Sequence, residues 1–182
     1  MKILLVIDMQ NDFIDGSLGT IEAKNIVDNV KKKIEEYYNN DQIVIFTKDT
    51  HDQKYLSSLE GINLPVKHCI KNTDGWQISS KLNIKDSLVI EKSTFGSKKL
   101  PNFIISELKK RVDCQTLKIK CLEHIEIIGL CTDICVINNA LLLKAHFPNT
   151  IIKVDSNCCA GVTPTSHNNA LHAMKICHIE IN

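Results

Sequence analysis

The sequence predicts a three-layer α/β/α fold built on a six-stranded, mainly parallel sheet. Three observations predict it. Six short apolar runs recur along the 182-residue chain, stretches of helical periodicity separate several of them, and the runs are apolar at consecutive positions instead of alternating. A strand apolar at every position is buried on both faces, and parallel strands with crossover helices cover a sheet in that way. The length suits one domain with one full-sized core, read as residues 1–182.

KILLVID (2–8) is a continuous apolar run closed by an acid, and reads as the first buried strand. Residues 22–39 carry Ile26, Val27, Val30 and Ile34 at helical spacing among charges, which makes an amphipathic helix. QIVIFTK (42–48) is the second strand, and residues 49–80, which lack a regular period, form a long functional loop with short helical pieces. SLVIEK (87–92) is the third strand and 102–112 a helix, while 113–123 stays ambiguous. HIEIIGL (124–130) is the fourth strand, followed by a helix over 132–146 with Thr132 or Asp133 as N-cap. TIIKVD (150–155) is the fifth strand, 166–177 a helix with Ser166 as candidate cap, and HIEI (178–181) the closing strand.

Composition narrows the function classes. Lys+Arg 22 against Asp+Glu 21 leaves a formal charge of +1, so no basic excess points to nucleic acid or to an anionic membrane. The clusters Lys31-Lys32-Lys33 and Lys109-Lys110-Arg111 fall on solvated helix faces. No secretory signal is visible, and no apolar run approaches membrane-spanning length. The expected location is the cytoplasm. There the chain's 8 cysteines need not form bridges; most are expected to be reduced, buried thiols.

In open parallel sheets, ligands bind beyond the carboxyl ends of the strands. Asp8 ends the first strand, Lys48 runs into Asp49-Thr50-His51 after the second, Lys92 ends the third, and Leu130 leads into Cys131 and Cys135. The fold brings these distant residues to one edge. In the first turn of a helix, exposed N–H groups and the helix dipole favour a thiolate at Cys135, and a cationic Lys92 adds to this. A buried, inert thiol is the commoner role for an arbitrary cysteine; the acid and the lysine on the same edge favour a nucleophile. Cys131 reads as a small residue in a tight turn, since a redox pair usually has two intervening residues. Asp8 would take and return a proton, with Lys92 holding it ionised; either residue alone would pass for a structural ion pair or a surface charge.

Asp49, His51, Glu60 and His68 are the candidate metal ligands. Carboxylates and imidazoles in one loop suit a borderline divalent ion, zinc first, with iron or manganese as alternatives. Asp52 and Cys69 lie within range, so the fourth ligand stays open between Glu60, Asp52 and water.

These residues carry a family resemblance. IDMQNDF (7–13), TKDTHD (47–52), His68-Cys69, EKSTFGS (91–97), GLCTDICV (129–136) and DSNCCAGVTPTSHNNAL (155–171) follow, in order and over nearly the whole chain, the pattern of the isochorismatase-like cysteine hydrolases. Within them the chain resembles the nicotinamidases most. The resemblance implies a Rossmann-like fold and a catalytic triad of Asp8, Lys92 and Cys135. It also implies metal ligands at Asp49, His51 and His68, with Glu60 as a less fixed fourth, and Phe13 as a pocket aromatic. It implies a cis peptide before Cys131 that turns the Cys131 N–H, with that of Cys135, toward an oxyanion. The substrate would be a small-molecule amide, and the protein a homo-oligomer with neither nucleic-acid nor membrane partners.

Two stretches depart from the pattern. GINLPVKHC lacks the aromatic that nicotinamidases often place before the histidine, so Leu64 or Pro65 would form that wall; and DCQTLKIKC (113–121) reads as an insertion. His167 reads as a structural helix residue. The nearest rival function is cleavage of another small amide, ureido or carbamoyl compound by the same triad, although such relatives generally lack the metal set. A non-catalytic or redox-sensing protein would need no acid and lysine at strand ends, and an isochorismate hydrolase would need no thiol.

Overall fold

A computed structural model describes residues 1–111 and 122–182; the 113–121 stretch lies outside the described residues. Among the described residues six strands form one sheet, all parallel, in the order β3-β2-β1-β4-β5-β6. They are β1 (Lys2–Ile7), β2 (Ile43–Asp49), β3 (Leu88–Lys92), β4 (His124–Leu130), β5 (Ile151–Ala160) and β6 (Glu180–Ile181). The sheet is therefore wholly, not mainly, parallel.

Why the strands read as unbroken apolar runs is visible in β1. Successive side chains point to opposite faces. Ile3, Leu5 and Ile7 enter a core with Leu100, Ile104, Val136, Ala140 and Met174, while Leu4 and Val6 enter another with Ile26, Val30 and Ile34. The second of these cores is closed by α2 (Ile21–Asn39), whose N-cap Thr20 accepts a hydrogen bond from Ala23 N. The first lies under α4 (Leu100–Arg111), α5 (Ile137–His146) and α6 (Pro164–Ile176). Two short helices, α1 (Asn11–Ile14) and α3 (Leu59–Asn63), lie in loops beyond β1 and β2.

The structure moves several expected boundaries. The helix expected over 132–146 opens instead as a π turn, Thr132–Val136, with Cys131 as N-cap, before α5 begins. The helix expected from 166 begins at Pro164, because Thr163 is its cap; Ser166 is the reciprocal partner in the capping box. The fifth strand runs on to Ala160, and the closing strand shortens to Glu180–Ile181.

Strand order reverses between β1 and β4, since the chain steps outward to β2 and β3 on one side and to β5 and β6 on the other. Such a switch point leaves a crevice at the carboxyl ends of the strands. The register pairs Ile7 with Gly129 and Asp49 with Lys92, which places Asp8, Asp49, Lys92 and Cys131 at that edge.

Candidate active site and metal centre

Asp8 leaves β1 with φ 46° and is fully buried. Aspartate is among the few non-glycine residues that enter this left-handed region readily. Its Oδ1 accepts a hydrogen bond from Thr47 Oγ1 at 2.6 Å, and its Oδ2 meets Lys92 Nζ at 2.6 Å. Lys92 Nζ also lies 3.4 Å from Cys135 Sγ and 3.3 Å from Asp49 Oδ1. One buried ammonium thus touches an acid, a thiol and a second acid.

The electrostatics follow from this burial. Desolvation raises Asp8 above the usual carboxylate range, and the Lys92 charge opposes it. Burial would lower Lys92, but Asp8, Cys135 and Asp49 outweigh it and hold the amine charged. Burial and the nearby Asp8 carboxylate push the Cys135 thiol well up, against the pull of Lys92. Cys135 is the fourth residue of the π turn, where burial and the Asp8 carboxylate work against the thiolate that Lys92 favours.

Beside this group, ligand atoms of Asp49, His51, Glu60 and His68 all lie within 4.8 Å of one another. His51 Nε2 is 2.9 Å from Asp49 Oδ2 and 3.5 Å from Glu60 Oε1, and His68 Nε2 is 3.7 Å and 3.9 Å from the same two oxygens. His68 Nδ1 donates to Val66 O at 2.8 Å, which leaves its Nε2 lone pair facing the cluster. Two imidazole nitrogens and two carboxylates converging in this way fit a divalent cation. Burial raises Asp49, but the neighbouring His51 and His68 rings and the Lys92 charge hold it below the usual carboxylate range. Asp52 is exposed and accepts from Lys54 N, and neither it nor the buried Cys69 is among the ligand atoms that converge with this quartet among the described residues. A cleft of about 610 Å³ opens on the His51 and Glu60 side, lined also by Tyr55, Lys54 and Ser93.

Residues 2–181 match the Isochorismatase domain. The chain belongs to the isochorismatase family. It is 28% identical to the nicotinamidase of Saccharomyces cerevisiae over 45% of this chain and 50% of that protein, so the match spans half the relative's length. The fold superposes on that of the pyrazinamidase of Pyrococcus horikoshii in complex with zinc, with a TM-score of 0.80, 23% identity, and 100% and 98% of the two chains covered. It also superposes on the pyrazinamidase/nicotinamidase from Streptococcus mutans UA159, with a TM-score of 0.79, 23% identity and both chains covered in full. At these identities the likeness to the solved structures is one of fold.

Within this isochorismatase-family site the Leu130–Cys131 peptide is cis, and Cys131 and Cys135 are both free thiols. Phe13 lies against His68, with ring centroids 5.5 Å apart. Leu64 and Pro65 are exposed and form no wall. The buried ring beside the quartet is Tyr55 instead, 4.5 Å from His51 and 4.9 Å from His68 between centroids, held by its hydroxyl donating to Leu64 O.

Three further polar residues escaped the sequence reading. Gln10 accepts from Asp49 N at 2.7 Å and donates to Asp49 O at 2.8 Å, clamping the backbone of that ligand. Thr47 holds Asp8. Buried Asn139 accepts from Ser97 N and donates to Cys135 O, tying the loop after β3 to the π turn. Gln10 stands inside IDMQNDF and Thr47 opens TKDTHD, and those positions were the available signals.

Proposed function

We propose that this protein is a metal-dependent nicotinamidase that hydrolyses nicotinamide to nicotinic acid and ammonia through a thioester on Cys135. The position of Lys92 Nζ carries the reading: it contacts Asp8, Cys135 and Asp49 within 2.6 to 3.4 Å, so nucleophile, proton carrier and metal quartet share one buried site. Pyrazinamide-type analogues fit the same chemistry. The reaction needs neither nucleic acid nor membrane and suits a cytoplasmic step of pyridine-nucleotide salvage.

Asp8 takes the Cys135 proton as sulfur bonds to the carboxamide carbon. Lys92 keeps Asp8 ionised until then. The N–H groups of Cys131 and Cys135 stabilise the oxyanion. As the C–N bond breaks, Asp8 returns the proton to the amine, which leaves as ammonia. Asp8 next takes a proton from water as its oxygen attacks the thioester; the C–S bond breaks, the proton returns to sulfur, and nicotinic acid departs. Phe13 and Tyr55 offer apolar faces for a flat ring. A divalent cation bound by Asp49, His51, Glu60 and His68 would supply a Lewis-acid dock for a pyridine-type nitrogen.

The same triad would serve another small amide, ureido or carbamoyl compound; the quartet favours nicotinamide over these. The deciding assay measures ammonia released from nicotinamide by purified protein, with metal content determined on the same sample. Release that depends on bound metal and on Cys135 is expected. Metal-loaded protein that cleaves other small amides but leaves nicotinamide intact would refute the substrate.

A further inference from the structure

We propose that His167, on α6, is a positioning residue for the nucleophile turn, acting through Thr132. Its Nδ1 lies 2.8 Å from Thr132 Oγ1. Thr132 is fully buried and is the residue between Cys131 and the rest of the π turn that ends in Cys135 and Val136. Within that turn, Ile134 N and Val136 N both donate to Cys131 O. Two contacts from outside the turn also hold it, one from α6 and one from the loop that leads into α6. Besides the His167 bond, Val162 N donates to the Asp133 carboxylate, 3.2 Å from each oxygen.

The local backbone is built for this approach. Gly161 passes so near His167 that a β-carbon on it would lie 2.9 Å from His167 Cβ and N. The Thr163 capping box then sets the first turn of α6, which fixes the ring's starting point. Burial lowers the His167 pKa, with Asp133 opposing, which favours the neutral ring beside the threonine hydroxyl. His167 touches neither Cys135 nor Lys92 in any contact described above. Its effect is on where the turn holds the sulfur and the two N–H groups, and a misplacement of about 1 Å can cost about a hundredfold in rate.

This inference rests on Cys135 being the nucleophile, as proposed above, so its test includes a readout that needs no particular substrate. His167→Ala, His167→Asn, Thr132→Val and the His167→Ala/Thr132→Val double variant are compared by two measurements. One is kcat and KM for ammonia release from nicotinamide; the other is the rate of Cys135 alkylation by iodoacetamide, mapped by peptide mass. His167→Ala is expected to lower kcat by about 10- to 100-fold with KM changed less than about threefold, and to shift the Cys135 alkylation rate. His167→Asn, whose amide keeps a hydrogen-bonding group near Nδ1, should recover most of both. The double variant should be no worse than His167→Ala alone, because both changes remove one bond. Wild-type kcat and alkylation in His167→Ala, or full additivity in the double variant, would overturn the proposal. Should His167→Ala fail to fold, Thr132→Val against His167→Asn reads the same bond from its other end. Should nicotinamide prove not to be a substrate, the alkylation rates decide alone.

Discussion

Cys131 and Cys135 sit four apart in sequence and do different work in this reading. Cys135 supplies sulfur, whereas Cys131 supplies a backbone N–H that alanine retains. Cys135→Ala should lower ammonia release by at least about a thousandfold, while Cys131→Ala stays within about tenfold of wild type; comparable losses in both would refute the division. Gln10 makes a second prediction at this scale. Its carboxamide holds the backbone of Asp49 from both sides. Gln10→Ala should weaken divalent-metal affinity by about 10- to 100-fold, read by titration with a metal-sensitive chelator. Asp8, Lys92 and Cys135 were legible because chemistry in a parallel sheet falls at strand ends, where each acid, lysine or cysteine stands out against an apolar run. Gln10, Thr47 and Asn139 were not, because a polar side chain that bonds to a distant backbone leaves no period or spacing behind. Tyr55 was missed for a related reason: it lies in an aperiodic loop, and only the fold folds that loop back over His51 and His68.

Elements that pack on a core were readable; elements shaped by close backbone approach were not. The apolar runs of β1, β2 and β4 record burial on both faces, and α2 records its one apolar stripe. Nothing comparable marks the π turn or the irregular β4–β5 register between Ile127 and Gly129. Gly129 explains why. It has φ +116°, and a β-carbon there would stand 2.1 Å from Ile7 O. Only glycine lets β4 lie this close to β1 just before the Cys131 turn. Gly129→Ala should therefore cost about 2–4 kcal/mol in a urea denaturation series. Because Ile7 immediately precedes Asp8, activity should fall beyond what the lost folded fraction explains. A fully active, equally stable variant would contradict this account of the junction.

At the scale of the whole molecule, the sheet is tied to α2 by a buried polar chain remote from the catalytic edge. Tyr37 OH donates to Glu126 Oε2 at 2.7 Å, and His124 Nε2 lies 3.0 Å from the same hydroxyl. Lys33 Nζ bridges Asp155 at 2.9 Å and Glu126 at 3.5 Å. Because the tyrosine proton is committed to Glu126, His124 donates from Nε2, and a second proton would enter at Nδ1. Burial disfavours that charge, as does Lys153, so the folded-state pKa of His124 lies below its usual 6.5, while Glu126 and Glu123 oppose the shift. The unfolded chain then binds this proton more readily than the folded one below about pH 6.5. Stability from this residue is complete above that pH and is lost as pH falls toward the folded-state value. His124→Gln keeps a donor near Nε2 and cannot titrate. Urea midpoints measured between pH 7.5 and 5 should fall less steeply for the variant than for wild type. Parallel profiles would show that His124 does not set the acid limb of stability, and would leave the buried carboxylates as its source.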